Sequence, residues 1–517
     1  MRREKDLARE RSVVSVAFAN VLSRIAGFAR DSAVFALLAM TPWSGAFLFA
    51  FTVPNLFRRL LGEGALGAAL VPLFGAANKS RSREEAFAFL NGVLARMMFF
   101  FLAAFAAIAV AFAGFHKLLS ESWLRATALS VLLFPYLAFA CLSAALCGAL
   151  NVLGLFGLPA LGALLLNASV VVFAAVAFAV SPAGGRDAAT LLCCGVLVGG
   201  FLQLALPALL LARRGWRFRP TLAKSDLTHR FAKLFFPATA AAAIVQINGA
   251  LSRILAFCLE DGALAVLYLS SRLVELPLGI FVAPILTVAF PALSGGSGQG
   301  FAEAHGRAVR SLLMVAVPSA VGLCVLGEPI LDVLFNWGNC GMGELTRVLP
   351  VLRVSAAALP FFALSGLWTR AFHGKCDTVT PLKIAAISLV ANVALTLALA
   401  GPFSALGIGA ANAIAALLQC VLLAAALGRK CGDEVRCGVL SWGPKIAAAA
   451  MTMWAVILAC QAAAGFFQPG KTRSLFLILA AIPAGAAAYC AVLRALKFEE
   501  VSLLLAMAKL PGRPFSR

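Results

Sequence analysis

Apolar stretches follow one another along this chain, each long enough to cross the roughly 30 Å hydrocarbon core of a bilayer, and that succession limits its fold more than anything else. About fourteen can be counted at roughly twenty residues apiece. Their cores lie at 13–38, 44–75, 87–114, 127–151, 159–180, 188–212, 232–258, 264–293, 308–327, 347–371, 381–401, 405–427, 441–466 and 473–496. Lipid offers no partner to a backbone N–H or C=O, so segments of this length must be helices that satisfy their own hydrogen bonds. Composition agrees. With 62% hydrophobic and 13% charged residues and a mean hydropathy of +0.95, too few polar side chains exist to clothe a water-soluble enzyme. The expected fold is an all-α polytopic integral membrane protein.

The same chain carries 43 Lys and Arg against 22 Asp and Glu, a net charge of +21. Much of this excess falls in alternate connections: the N-terminal tail, Lys79 to Arg83, Arg213 to Lys233, Arg307 and Arg310, Lys375 and Lys383, Arg429 to Arg436, and the C-terminal tail. Those connections hold roughly twenty-five basic residues and the opposite ones about six, a positive-inside pattern that puts both termini in the cytoplasm. The N-terminal basic region leads into a stretch broken by Ser23, Arg24, Arg30 and Asp31 without a small-residue cleavage site, and is read as retained. No nucleic-acid-binding signature accompanies the charge. The cysteines and the four histidines lack metal-ligand or C-x-x-C spacing.

The basic connection at 213–233 divides the chain into halves. Asn20-Val-Leu-Ser-Arg-Ile in the first span has an echo in Asn248-Gly-Ala-Leu-Ser-Arg-Ile in the seventh, as in a duplicated bundle with a site between its halves. The expected organisation is an N-terminal lobe at 1–222, a second lobe at 223–430, and two further helices with a tail at 431–517.

Ionisable residues inside the spans carry the functional signal, because each costs at least about 2.5–3.5 kcal/mol unless it meets water or a partner. Nine are arginines (Arg24, Arg30, Arg58, Arg59, Arg96, Arg253, Arg272, Arg353, Arg370) and three are carboxylates (Asp31, Glu63, Glu275). Spacing pairs Arg30 with Asp31, Arg59 with Glu63 and Arg272 with Glu275. Arg96, Arg353 and Arg370 read as side chains reaching for headgroups. Arg24, Arg58 and Arg272 stand beside helix-interrupting Gly or Pro and imply a water-filled cavity. Guanidinium groups bind phosphate oxygens in bidentate fashion, so the missing counter-ion is a phosphate or pyrophosphate ester. Among the many prolines, those of Leu276-Pro-Leu-Gly-Ile-Phe-Val-Ala-Pro-Ile mark the best hinge. No catalytic triad, metal-diphosphate motif or phosphate-binding glycine loop is found, so an enzyme is not expected. Transport would draw on a membrane potential or an ion gradient, with no cofactor.

Ser23-Arg-Ile-Ala-Gly-Phe-Ala-Arg-Asp31, Val53-Pro-Asn-Leu-Phe-Arg-Arg59 and Glu63-Gly-Ala65 resemble the N-terminal signature of the MurJ (MviN) lipid II flippases. The likeness continues through Gln246-Ile-Asn248, Ser271-Arg-Leu273, Leu276-Pro-Leu-Gly279, Gly327-Glu-Pro329 and Asp377-Thr-Val-Thr-Pro381. It implies a flippase of the MOP superfamily in a bacterial inner membrane, with two pseudo-symmetric lobes around a central cavity. Its partners would be lipid II, an anionic polyprenyl-pyrophosphate lipid, and membrane lipids, and it would act as a monomer associated with cell-wall synthesis machinery. Carried over by position, Arg24, Arg30, Arg58 and Arg272 would bind substrate, and Ser23, Asp31, Asn55, Arg59, Glu63 and Glu275 would support or gate. The spans at 441–466 and 473–496 would form a groove for the lipid tail. The alternatives are an exporter of another lipid-linked oligosaccharide, or a drug/cation antiporter, which would need acidic rather than basic residues in its cavity. The sequence departs from many relatives at Gly45, where they carry Asp, and at Thr52, where they carry Lys, and from some at Ser252, where they carry Asp. Sodium coupling is therefore not expected. A stretch at 497–510 is amphipathic and reads equally as a surface helix or a frayed end.

Overall fold

The computed structural model describes residues 22–60, 66–80, 82–155, 157–223, 225–295, 299–432, 439–466, 468, 470–498 and 500–501. Helices account for the architecture, and no strand occurs among the described residues. The chain divides into two compact units, residues 1–257 with 337–340, and residues 258–336 with 341–517.

The first unit holds α1 (22–38), α2 (Pro42–Phe57), α3 (Leu66–Ser80), α4 (Arg83–Phe115), α5 (Glu121–Val152), α6 (Leu158–Val180), α7 (Arg186–Ala212) and α8 (Asp226–Cys258). α5 is its hub, packing on α2, α3, α4 and α7. Lipid tails are as apolar as leucine, so helix association here depends on close approach and interhelical hydrogen bonds. Glycines provide the approach: a Cβ at Gly199 would lie 2.8 Å from the Leu166 Cα on α6, and one at Gly200 would strike the Tyr136 ring on α5. Ser169 Oγ donates to the Gly195 carbonyl and Ser143 Oγ to that of Gln203, each at 2.8 Å. The unit boundary falls one helix later than the one expected at 222/223. Phe231 and Phe235 of α8 pack on the cluster of Leu90, Leu146 and Leu150, and Phe257 meets Phe49 and Trp123 at 4.8 and 5.2 Å.

The second unit runs through α9 (Ala263–Pro277), a π-helical turn (Leu278–Val282), α10 (Ala283–Gly295), α11 (Gln299–Phe335), α12 (Met342–Leu345), α13 (Val348–Ala357), α14 (Leu359–Gly374), α15 (Val379–Cys431), α16 (Val439–Ala464) and α17 (Lys471–Ala495). The π turn falls on the segment read as the best hinge. α16 and α17 share a core with α11, through Ile446, Ile457, Ala481 and Leu493 packed with Leu312 and Leu326, so they belong to this unit rather than forming a separate body. Phe498 and Val501 join the same core and Glu500 pairs with Arg310. The start of the amphipathic stretch is thus docked; residues 502–510 lie outside the described residues.

Nine helices among the described residues are long and apolar enough to cross a membrane, ten if Met342–Ala357 (α12 and α13) and α14, bent by 40°, form one span. Hydropathy alone suggests about fourteen. Part of the difference is α15, whose 53 residues hold two expected spans. It doubles back at Ser404, held at φ 48° and ψ −131°. Its arms are tied by Ser388 Oγ to the Ala415 carbonyl and Asn392 Nδ2 to Asn412 Oδ1, both at 2.9 Å. The expected span 44–75 is divided between α2 and α3, of 16 and 15 residues.

Candidate functional site

In the first unit the arginine of α1 with the densest surroundings is Arg30. Its Nε and Nη2 donate to Asp31 Oδ1 at 3.0 and 2.6 Å, and its Nη1 donates to Asn167 Oδ1 on α6 at 3.1 Å. The guanidinium also lies 5.1 Å from the centre of the Phe51 ring on α2, within cation–π range. Asp31 is only 3% exposed, and a carboxylate so deep requires such a partner. Asn167 also reaches the α1 backbone, its Nδ2 donating to the Ser23 carbonyl at 3.2 Å. One buried amide therefore fixes both the Arg30 side chain and the backbone immediately before Arg24. Arg24 itself is exposed and makes no ion pair among the described residues.

α2 presents the second group. Pro54 lies inside it and cannot donate to the Ala50 carbonyl. Two side chains bond back to the helix around that gap, Thr52 Oγ1 to Leu48 O at 2.7 Å and Asn55 Nδ2 to Phe51 O at 3.0 Å. Asn55 Oδ1 in turn accepts from Arg58 Nε at 3.4 Å. Asn55 thus orients Arg58, which is half-buried, while Arg59 turns outward and is exposed. The expected partner of Arg59, Glu63, lies outside the described residues.

In the second unit Arg272 Nη1 contacts Glu275 Oε2 at 3.3 Å, one turn further along α9 and just before the π-helical turn. Both side chains are partly open to the surroundings, so this pair is weaker than Arg30–Asp31.

The family model described as "Lipid II flippase MurJ" matches residues 34–481, most of the chain. The chain belongs to the lipid II flippase MurJ family. Relatives include the "Probable lipid II flippase MurJ" of Haemophilus influenzae, 30% identical over 428 residues that cover 78% of this chain and 83% of that protein. The protein of the same description from Rhizobium meliloti is 32% identical over 437 residues, 80% of this chain and 79% of its own. Among solved structures, "Lipid II flippase MurJ, inward closed conformation" aligns with a TM-score of 0.76 at 22% identity, over 93% of this chain and 99% of that one. An inward-facing multidrug resistance MATE transporter of the MOP superfamily aligns at 0.62 with 14% identity, over 81% and 97%. At these identities the structural likeness is one of fold.

As a MurJ family member the chain is a multi-pass membrane protein. Gly45 is buried, and a Cβ there would face the Phe257 ring at 3.8 Å. Phe257 belongs to an aromatic cluster with Phe49 and Trp123, an environment hostile to a carboxylate. Ser252 is likewise buried. The motif Asp377-Thr-Val-Thr-Pro381 is structural. The Asp377 carboxylate, just before α15, accepts from the Thr380 N–H at 3.0 Å, from Thr380 Oγ1 at 2.9 Å and from Lys430 at 2.7 Å, Thr380 and Lys430 lying at the two ends of that helix. The Lys430 bond, then those from Thr380, hold its pKa well below the usual carboxylate range.

The three arginines read as headgroup-seeking also have protein acceptors. Arg96 bonds three carbonyls, Arg353 Nε donates to Cys324 O at 3.4 Å and Arg370 Nη1 to Thr287 Oγ1 at 3.4 Å. Sequence reasoning missed Asn167. A polar residue within an otherwise apolar span, Leu164-Leu-Leu-Asn-Ala-Ser-Val170, was the available signal.

Proposed function

We infer that this chain carries lipid II from the inner to the outer leaflet of a bacterial cytoplasmic membrane by alternating access, supplying cell-wall synthesis. Membership of the MurJ family is the observation that carries this reading. The physical obstacle to such transport is the pyrophosphate. Moving one bare ion into hydrocarbon costs on the order of 20 kcal/mol, so a carrier must offer compensating charge along the path. Guanidinium groups on apolar helices supply it, and the lipid tail can stay in the bilayer.

Arg24, Arg58 and Arg272 are assigned to pyrophosphate capture. Arg30 makes three hydrogen bonds to Asp31 and Asn167, which suits it to holding α1 in place while adding positive potential. Asn55 supports Arg58 directly, the Ser23 carbonyl shares Asn167 with Arg30, and Asp31 and Glu275 set the local charge. The π-helical turn after Arg272 suits the helix to a change of shape. An inside-negative potential assists outward movement of an anion by about 2.3 kcal/mol per charge per 100 mV, which makes the membrane potential a sufficient source of direction without a cofactor or sodium. Both termini are assigned to the cytoplasm on the charge pattern of the connections. The rival drug/cation antiporter shares the fold, but its cargo would be repelled by these arginines.

The test is depletion of the protein with complementation by Arg24→Ala, Arg58→Ala or Arg272→Ala, followed by measurement of the leaflet in which lipid II resides. The reading expects intact lipid II to accumulate on the inner leaflet. Normal translocation by all three variants would overturn it, and accumulation of a chemically different intermediate would point to an enzyme.

A further inference from the structure

On α4 the apolar side chains that face outward begin abruptly at Met98 and continue through Phe99, Phe100, Leu102 and Val110 to Phe115. At 1.5 Å per residue this band is about 26 Å tall, close to the thickness of a hydrocarbon core. Earlier on the same helix, residues 89–95 are buried in the first unit. One edge of the hydrocarbon therefore falls just before Met98, beside Arg96.

Arg96 fixes another piece of chain at that level. Its Nη1 donates to the Gly92 carbonyl at 2.8 Å, and its Nη2 donates to the carbonyls of Leu222 and Ala223 at 3.0 and 2.8 Å, in the connection between α7 and α8. One turn below, the buried Asn91 accepts from Trp216 Nε1 at 2.8 Å and donates to the Arg217 carbonyl at 2.9 Å. The connection is irregular in backbone but tied at both ends. What it leaves open is a mixture: Arg213, Arg217 and Arg219 beside Phe218, 42% exposed, and Leu222, 58% exposed. The nearby Asp226 is paired with Arg230 at 3.1 Å, and none of the three arginines has an ion-pair partner among the described residues. Apolar side chains among guanidinium groups, held level with the edge of the hydrocarbon, match the layer where acyl chains end and phosphates begin.

We propose that residues 213–222 form a docking surface for anionic glycerophospholipid headgroups, with Arg213, Arg217 and Arg219 on the phosphates and Phe218 and Leu222 among the upper acyl carbons. This surface depends on the placement of α4 in the bilayer and is independent of the cargo.

Hydrogen–deuterium exchange of the full-length protein tests it, comparing nanodiscs of phosphatidylcholine with nanodiscs that also contain phosphatidylglycerol. One charge near an anionic surface is worth about 1 kcal/mol, or about fivefold in affinity. The amides of 213–223 are therefore expected to exchange at least about fivefold more slowly in the anionic discs. High salt should abolish the difference, as should R213Q/R217Q/R219Q, with exchange in α4 and α5 unchanged as the sign of an intact fold. Equal exchange in the two bilayers would overturn the proposal, as would slowing that persists in the triple variant. Slowing reproduced in phosphatidylcholine discs by inorganic phosphate alone would show a site for free anions and would equally overturn the lipid assignment.

Discussion

Asn167→Ala should disturb the first unit more than any other single polar substitution in α6, and the bond it removes from Arg30 can be isolated by a double-mutant cycle. Asn167 is 6% exposed and joins α6 to α1 through Arg30 Nη1 at 3.1 Å and the Ser23 carbonyl at 3.2 Å. Neutral hydrogen bonds between membrane helices average about 0.6 kcal/mol and reach about 1.7, whereas a bond to a charged group is worth about 1.5–3 kcal/mol in soluble proteins. Arg30 is 11% exposed and keeps its Asp31 partner in the variant, which limits the loss. The coupling between Asn167 and Arg30 should therefore be about 1.5 kcal/mol, roughly a twelvefold change in equilibrium constant, with about 0.6 kcal/mol more from the Ser23 bond. Reversible unfolding in mixed micelles, measured for Asn167→Ala, Arg30→Ala and the double variant, gives the coupling directly. Lipid II binding measured on the same set shows whether the node also positions Arg24. Strictly additive single effects would refute the hydrogen bond as an energetic link, and unchanged lipid II binding in Asn167→Ala would refute its positioning role.

Three other perturbations have defined outcomes. Arg272→Lys keeps the charge but loses the planar fork, so it should recover only part of the lipid II binding lost in Arg272→Ala, as measured by titration in nanodiscs. Gly200→Ala drives a methyl into the Tyr136 ring and should cost about 1–3 kcal/mol through forced separation of α5 and α7, visible as a lowered thermal midpoint. Asp377 has a lowered folded-state pKa, so its contribution is complete above the unfolded value of 3.8 and is lost as pH falls toward the lower folded value. Thermal midpoints of the parent and Asp377→Asn should accordingly differ at neutral pH and converge in strong acid.

Helicity and membrane embedding were legible in the residues alone, because no other backbone arrangement satisfies about fourteen long apolar stretches in a solvent without hydrogen-bonding partners. The excess of arginines over carboxylates in the apolar stretches is likewise a property of the sequence, and the proposal of an anionic cargo rests on it. The pairs Arg30–Asp31 and Arg272–Glu275 could be read because helix geometry places neighbours and i,i+3 residues within reach. Other contacts emerged only from the packing of the folded chain. Arg30 is anchored by Asn167, 137 residues away. Arg96 of α4 bonds to an irregular connection more than a hundred residues further along. The two arms of α15 are tied by Ser388 to Ala415 and by Asn392 to Asn412. Each of these turns on which backbone carbonyl or side-chain amide the fold brings within hydrogen-bonding distance. Hydropathy and local spacing carry no information about contacts between helices distant in sequence, where a single buried polar partner outweighs many interchangeable apolar neighbours.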